Sequence, residues 1–435
     1  MRLDERLTVI VAKNGAGKTT ILDAIAIGLG QFITRLPKVS GINPKDSDYL
    51  LDNNGNKPAY MRIAFESTRG IRWDRTEKRD QTQKTQSKIP KADGIKELND
   101  YVDKLVDAYN DKSSFDLPIF ANDKSSFDLP IFAYYGTGSG VFEVPQRRQN
   151  FKKMFSRFEA LQGALEAKAN FRRFFEYFYF LEELEHQGVQ KEQDLNYQQA
   201  ELKTIRKAIE SAMPMFKNPR SQVRPLCFLV DWQINQEETK TLRIEQLSDG
   251  YRTTLAMIMD IAARMASANP ELKNPLETEG IILIDEVELH LHPGWQQTIL
   301  PPLLETFPNV QFIVTTHSPQ VLTTVPSSSI KAIQWDSSEQ PNLMPSIEFS
   351  EGAESQQLLE DILGIKPRPQ NIDIVKKLNR YLELISLDKW DSTEAKALRS
   401  KLDKWGQGYE TALANADIDI RLRLRRLGRK HEENQ

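Results

Sequence analysis

Cysteine is almost missing: Cys227 is the single one among 435 residues, which excludes an intrachain disulfide and any metal site built from several thiolates. That usage fits a reducing compartment, and a cytoplasmic protein is expected. No apolar run approaches the roughly 20 residues that span a bilayer, so no membrane segment is expected. The opening residues, Met1 to Arg6, carry charges but no apolar stretch, and no secretory signal is legible there. Histidine is scarce too, at five, so the position of each one is informative. Charge of one sign does not dominate: the formal net charge is −3, and the global balance gives no reason to expect nucleic acid. Hydrophobic residues make up 39% and charged ones 27%, a balance that implies much helical surface. A chain this long exceeds one small core. It calls for one large α/β domain with helical additions, or for two to three domains.

What is present begins with Leu7–Ala12 (LTVIVA), a β-branched run that meets a Gly-rich turn and then Ile21–Leu29, which has the broad apolar face of a helix. Pro58–Glu66 and Gly70–Asp74 alternate as strands, and the polar, lysine-rich Thr76–Gly94 reads as a loop. NDKSSFDLPIFA occurs twice, at 110–121 and 122–133, a tandem duplication too short for a solenoid. The second copy runs into Tyr134-Tyr135-Gly136 and is expected to supply a core strand, the first to bulge outward. From Phe151 to Met215 the pattern is helical, with the aromatic stretch FRRFFEYFYF at 171–180. Packing on its own domain is the expected use of that stretch, and a partner-binding face the alternative. Leu226–Val230 and Thr241–Ile244 return to strand character, and Thr254–Met265 is rich in strong helix formers. Gly280–Ile284 and Val310–Thr315 read as strands of a buried parallel sheet. Past Val325 come a polar linker and then helices, ending in the basic RLRLRRLGRK. The expected division is 1–150, an N-terminal lobe; 151–225, an inserted helical segment; 226–330, a C-terminal lobe; and 331–435, a helical region suited to docking or assembly.

Four motifs carry chemistry. Ala12-Lys13-Asn14-Gly15-Ala16-Gly17-Lys18-Thr19, followed by Thr20, is a phosphate-binding loop with alanine in place of the first glycine. Such a cradle needs consecutive backbone N–H groups converging on one anion. Glycines permit the necessary turns, and the helix that follows adds positive potential. Lys18 would reach the β/γ-phosphates and Thr19 the Mg²⁺ ion, so ATP and Mg²⁺ are the expected cofactors. Ile281–Ile284 then ends in Asp285, a second Mg²⁺ ligand, and Glu286, which would polarise the attacking water. His317, just past another core strand, is the candidate sensor of the γ-phosphate. Leu247-Ser248-Asp249-Gly250-Tyr251-Arg252 opens a helix, where the Ser248 hydroxyl and Gly250 backbone form a second anion site. The His290-Leu291-His292 pair lacks a third ligand, so loop positioning is expected of it rather than metal binding.

LSDGYR resembles the signature motif of ABC ATPases, and the order of phosphate loop, signature, Asp-Glu and histidine is that family's order. The resemblance implies an α/β fold: an ABC-type P-loop NTPase with a mixed or parallel sheet, an inserted helical lobe and a helical C-terminal region. It also implies that the signature of one subunit closes the nucleotide site of another, giving a head-to-tail homodimer or an assembly of such dimers. ILIDEVELHLHPGWQQTILPPLLETFPNVQFIVTTHSPQVL is similar to the soluble ABC-type ATPases of bacterial defence islands, with LSDGYRTTLAMIMDIAARM, LPIFAYYGTG and FRRFFEYFYFLEELE in the same pattern. Within that group the chain most resembles the ATPase subunit of Septu-type anti-phage systems, some retron-associated, which implies regulation of a partner HNH nuclease and DNA contact through the complex. The resemblance further implies strands ahead of the phosphate-loop strand, so the chain is expected to begin late. It implies a Q-loop glutamine too, for which Gln146 or the neighbourhood of Gly136-Thr137-Gly138 stands as candidate. The alternative is a RecF- or SMC-like ATPase of DNA repair or chromosomes. A nuclease of the TOPRIM kind would rest on Asp417 and Asp419 alone, on what reads as a charged helix.

Overall fold

The computed structural model describes residues 1–49, 51, 54–68, 70–89, 94–111, 128–138, 156–167, 171–235, 237–335, 341–344 and 347–432. The duplicated residues 112–121 and Gln146 lie outside them. Two compact units divide the chain, Met1–Leu358 and Leu359–Gln435.

In the first unit β1 (Leu7–Ala12) turns directly into α1 (Lys18–Thr34). The hairpin β2 (Tyr60–Glu66) and β3 (Arg72–Lys78) follows, then α2 (Gln83–Gln86) and α3 (Lys96–Asp111). β4 (Ile131–Tyr135) precedes two long helices, α4 (Phe171–Glu192) and α5 (Ala200–Ala212). An antiparallel meander of β5 (Phe216–Val223), β6 (Leu226–Gln233) and β7 (Thr239–Arg243) leads into α6 (Asp249–Ala268). Next come β8 (Gly280–Ile284), α7 (Pro293–Gln296), α8 (Leu300–Thr306), β9 (Val310–Thr316) and α9 (Pro319–Leu322). β10 (Ile330–Trp335) and β11 (Pro341–Leu343) complete the first unit's strands, and α10 (Ser355–Asp361) contains the division between the units.

The central sheet has the order β11-β10-β1-β9-β8-β4 and is parallel except at β11. Its inner strands are largely apolar because both faces are covered, and all of β1 and β4 is buried, whereas β11 at the edge is exposed. The order matters for function. β1 lies beside β9, with Val9 opposite Val314, and β9 lies beside β8, with Ile313 opposite Leu283. The three motif-bearing strands are therefore adjacent, and parallel pairing puts their C-terminal ends on one rim. That rim is where ligands settle in open α/β sheets.

α6 is buried nearly all round, from Thr254 to Ala266, which explains its Ala- and Met-rich sequence. Phe174, Phe175 and Phe178 of α4 are buried against Phe228 of β6, with the Phe178 and Phe228 rings 5.0 Å apart and edge-on. The aromatic stretch is thus spent on its own domain. Among the described residues no helix is long and apolar enough to cross a membrane.

Two boundaries differ from the sequence reading. The sheet does not stop near 330: β10 pairs with the free side of β1, Val9 opposite Ile330, and β11 pairs with β10. Buried Ile330, Ala332 and Ile333 carry that pairing inside an otherwise polar stretch. Likewise Thr76–Lys78 is strand rather than loop, laddered with Tyr60–Arg62. One face of that hairpin is open, so polar residues are at home in it.

The second unit contains α11 (Asp373–Ser386), α12 (Thr393–Gly406) and α13 (Thr411–Glu432). Leu378, Tyr381, Leu384, Leu402, Leu413 and Ala416 form its core. Arg399 of α12 grips Asp417 of α13 with two guanidinium N–H groups, and Arg423 takes Asp419 at 3.0 Å. The two acids of the Asp417-Ile-Asp419 run are therefore each held by an arginine on a helix, not on a strand.

Candidate nucleotide and catalytic site

The phosphate loop takes its shape from two glycines. Gly15 and Gly17 have φ of 77° and 88°, the left-handed region where a side chain is strained, and open space lies where a Cβ would stand. Ala12 needs no such freedom, because it ends β1 as extended, buried backbone. Gly17 caps α1 without a side chain, so the first-turn N–H groups of Lys18, Thr19 and Thr20 have no intrahelical acceptor. Asn14, Gly15, Thr19 and Thr20 are exposed, whereas Ala16 and Lys18 are buried. The loop is an open cradle of donors with one buried cation beneath it.

Lys18 donates to Ala12 O at 3.2 Å and to His317 Nε2 at 2.5 Å. An ammonium can only donate, so Nε2 must accept, and the neutral imidazole carries its proton on Nδ1. Burial lowers the pKa of Lys18 against the pull of Glu286, Asp285 and Glu288. Burial and then the Lys18 charge lower that of His317, with the same three carboxylates opposing. The His317 shift favours the neutral ring that can accept from the lysine, whereas burial works against the Lys18 charge and the three carboxylates work for it.

Asp285 is fixed from both sides. Its Oδ2 accepts from Thr19 Oγ1 at 2.8 Å and its Oδ1 from Thr315 Oγ1 at 2.6 Å. Thr315 Oγ1 in turn accepts from Glu286 N at 2.8 Å, and Asp285 N donates to Tyr135 O of β4 at 2.8 Å. Glu286 has φ of 51° and His290 of 64°, both left-handed without being glycine. Such backbone persists only where its surroundings over-determine it. The sheet thus brings Lys18, Thr19, Asp285, Glu286 and His317 together at the ends of β1, β8 and β9.

Three contributors were missed by sequence reasoning. Thr315 and Glu288 bind the motif loops to each other, and Tyr134 OH donates to Asp23 Oδ1 at 2.9 Å on the adjoining face of α1. Burial is the leading reason that the pKa values of Asp23 and Tyr134 are both raised. The only forewarning of the first two was their position next to Glu286 and His317.

The signature is not bonded to this cluster. Ser248 is exposed at the N-cap of α6 and makes no side-chain cap bond. Among the described residues no hydrogen bond or ion pair joins Ser248 or Gly250 to Lys18, Thr19, Asp285, Glu286 or His317. Gly250 has a second reason to be glycine: an added Cβ would lie 2.5 Å from the backbone oxygen of His290. Tyr251 packs edge-on against Trp295, ring centres 4.7 Å apart, so the signature helix rests on the loop that follows Glu286. His292 Nδ1 accepts from Gly294 N at 3.2 Å, capping α7. Among the described residues no cluster of three or more His, Cys, Asp or Glu suits a metal ion.

A family model of the AAA domain matches residues 1–216, and one of the AAA ATPase domain matches residues 149–322. The retron Ec83 probable ATPase of Escherichia coli is 30% identical over 96% of this chain and 82% of its own. The retron Vc95 probable ATPase of Vibrio cholerae serotype O1 biovar El Tor is 28% identical, covering 76% of this chain and 69% of its own. The Septu protein PtuA of Bacillus mycoides is 46% identical over a shorter stretch, 18% of this chain and 10% of its own. Similarity of that extent, on a site of this geometry, means that the chain is an ATPase and belongs to the defence-associated ABC-type family of the retron and Septu ATPases.

Proposed function

We propose that this ATPase closes its ATP sites only between two copies joined head to tail, and that the closed dimer regulates a partner HNH nuclease in an anti-phage complex. One observation carries the first half: the five residues suited to hydrolysis gather on one rim, while Ser248 and Gly250 open a helix not bonded to any of them, with the serine hydroxyl making no cap bond. A twofold axis supplies each phosphate loop with the other copy's signature.

In this reading the backbone from Asn14 through Gly15, Ala16 and Gly17 to Thr20 cradles the phosphates, and Lys18 neutralises the β/γ oxygens. Thr19 and Asp285 suit Mg²⁺, since a hydroxyl and a carboxylate are the hard oxygen donors it takes beside phosphate and water. When bound, that ion supplies charge neutralisation on the phosphates. Glu286 polarises the attacking water, and His317 moves from Lys18 to the γ-phosphate. Ser248 and Gly250 meet that phosphate from the partner copy.

The nuclease half rests on membership in the retron and Septu family. In this reading the helical unit 359–435 is the docking element; its Asp417 and Asp419 are held by arginines of the same unit. Glu286→Gln with Mg·ATP should accumulate as an ATP-bound dimer in light scattering, whereas Lys18→Ala should neither bind nucleotide nor dimerise. Wild-type turnover in Glu286→Gln would reject the catalytic assignment, and an ATP-bound monomer would reject the composite site. Co-purification with an HNH protein encoded by the neighbouring reading frame tests the partner. DNA-stimulated turnover by the chain alone would favour the RecF- or SMC-like alternative.

A further inference from the structure

Two loops meet at the rim, residues 285–296 after β8 and residues 315–318 at the end of β9. Side chains tie them together in three places. Nearest the sheet, Thr315 bridges Asp285 and Glu286 N, while Val287 N donates to Thr315 O at 3.1 Å. Farthest out, Ser318 Oγ donates to Gln296 Oε1 at 2.7 Å. Between them stands Glu288, whose Oε2 accepts from Thr316 Oγ1 at 2.7 Å and whose Oε1 accepts from His317 N at 2.5 Å. Thr316 is fully buried, and its hydroxyl also accepts from Ser318 N at 3.0 Å.

Glu288 is thus the group that fixes the backbone of His317 itself. A carboxylate suits the place chemically, because both neighbours are donors and it needs no donor of its own. Bonds of this kind to an ionised acceptor are among the stronger ones. A glutamine in the same position could still accept from His317 N, but it would have to donate to the Thr316 hydroxyl in place of accepting from it, and it would lose the charge. The charge also faces the Lys18 ammonium, which adds to the electrostatic balance of the pair below it.

We propose that Glu288 is a positioning residue for hydrolysis: by clamping Thr316 and the His317 amide, it presents the His317 ring at the γ-phosphate position in register with Glu286. The proposal rests on the reading of His317 as the phosphate-sensing group. In this role Glu288 acts through the loop that it holds, not on the reacting atoms.

The test is a double-variant cycle on the full chain, read by steady-state ATP turnover and by affinity for a fluorescent ATP analogue. Glu288→Ala should lower kcat by about tenfold to a hundredfold, the usual effect of removing a residue that orients a reacting one, with KM for ATP changed less than about threefold. Glu288→Gln, nearly isosteric, should fall between wild type and Glu288→Ala. If the alanine variant does not fold, the glutamine variant carries the cycle. In a His317→Ala background, removing Glu288 should cost less than about threefold more, because the group it positions is gone. Unchanged kcat in Glu288→Ala, or losses that multiply in the double variant, would overturn the proposal. If instead His317→Ala and Lys18→Ala both turn over ATP at the wild-type rate, the site assignment fails, and the positioning role fails with it.

Discussion

Gly250→Ala sets two effects of opposite sign against each other. Gly250 sits in the first turn of α6 and does not have a positive φ, so alanine would fit its backbone. By helix propensity alone the change should stabilise, by up to about 1 kcal/mol. Packing says the reverse. The new Cβ would stand 2.5 Å from His290 O and 3.1 Å from Leu291 Cδ2. The first is roughly 1 Å inside ordinary contact, and the atom is backbone, which cannot swing aside as a side-chain end can. Overpacking of this kind costs about 1–3 kcal/mol. The loop is also poorly able to yield, since Leu289 N donates to Glu286 O at 2.8 Å and Leu291 N to Glu288 O at 2.9 Å. Clash should win, leaving a net loss of about 1–2 kcal/mol. The assay is thermal and urea unfolding of the nucleotide-free protein, followed by ATP turnover. The expected result is a melting temperature a few degrees lower, with slower turnover because the push reaches Glu286. A variant as stable as wild type without nucleotide, and impaired only in ATP-driven dimerisation, would refute the packing argument. It would restore the view that this glycine serves only the approach of a phosphate.

The elements that could be read beforehand share a cause. β1, β8 and β9 are buried on both faces, so each is a continuous apolar run, and each motif residue follows such a run directly. Asp285 and His317 could be read as strand-end positions because each follows an apolar, β-branched stretch. Glu288 and Thr315 were not legible, because their partners are set by register. With Ile284 opposite Val314, the residues just past β8 face the end of β9, and no local pattern in either segment reveals that alignment. β10 was hidden for a related reason. Its polar flank reads as linker, and only the open edge of β1 turns Ile330–Trp335 into a strand. Gly250 was assigned to anion binding because its neighbours form a signature, whereas its packing reason lies forty residues on, in the backbone of His290.

Two further outcomes follow from buried polar groups. In the nucleotide-free protein the His317 imidazole should titrate below its ordinary 6.5, since burial and the Lys18 charge both disfavour its cation. The stability contributed by the neutral ring is then fully present above about pH 6.5 and is lost as pH falls through the lower folded value. A histidine-resolved NMR titration checks this, and a His317 pKa above the ordinary value, or one unmoved by Lys18→Ala, would contradict it. Asp260→Ala should be the more damaging change. Asp260 Oδ2 accepts from Arg264 Nε at 2.8 Å and from Tyr135 OH at 2.7 Å, and the side chains of the acid and the arginine are only 7% and 6% exposed. Removing the acid leaves a buried guanidinium with the backbone oxygens of Ala160 and Gln162 and the Tyr135 hydroxyl but no counter-charge from Asp260, a loss of about 3–5 kcal/mol. Replacing both ionic groups together, as Asp260→Leu with Arg264→Met, should recover most of it, because the desolvation cost goes with the charges. The same pair bears on catalysis through Tyr135, whose backbone oxygen accepts from Asp285 N while its hydroxyl is held by Asp260. Asp260→Ala should therefore slow ATP turnover more than the double replacement, if the orphaned charge is what disturbs β4. Equal stability of the single and double variants in urea unfolding would show that Arg264 finds another partner, and that α6 is not fixed to β4 by this pair.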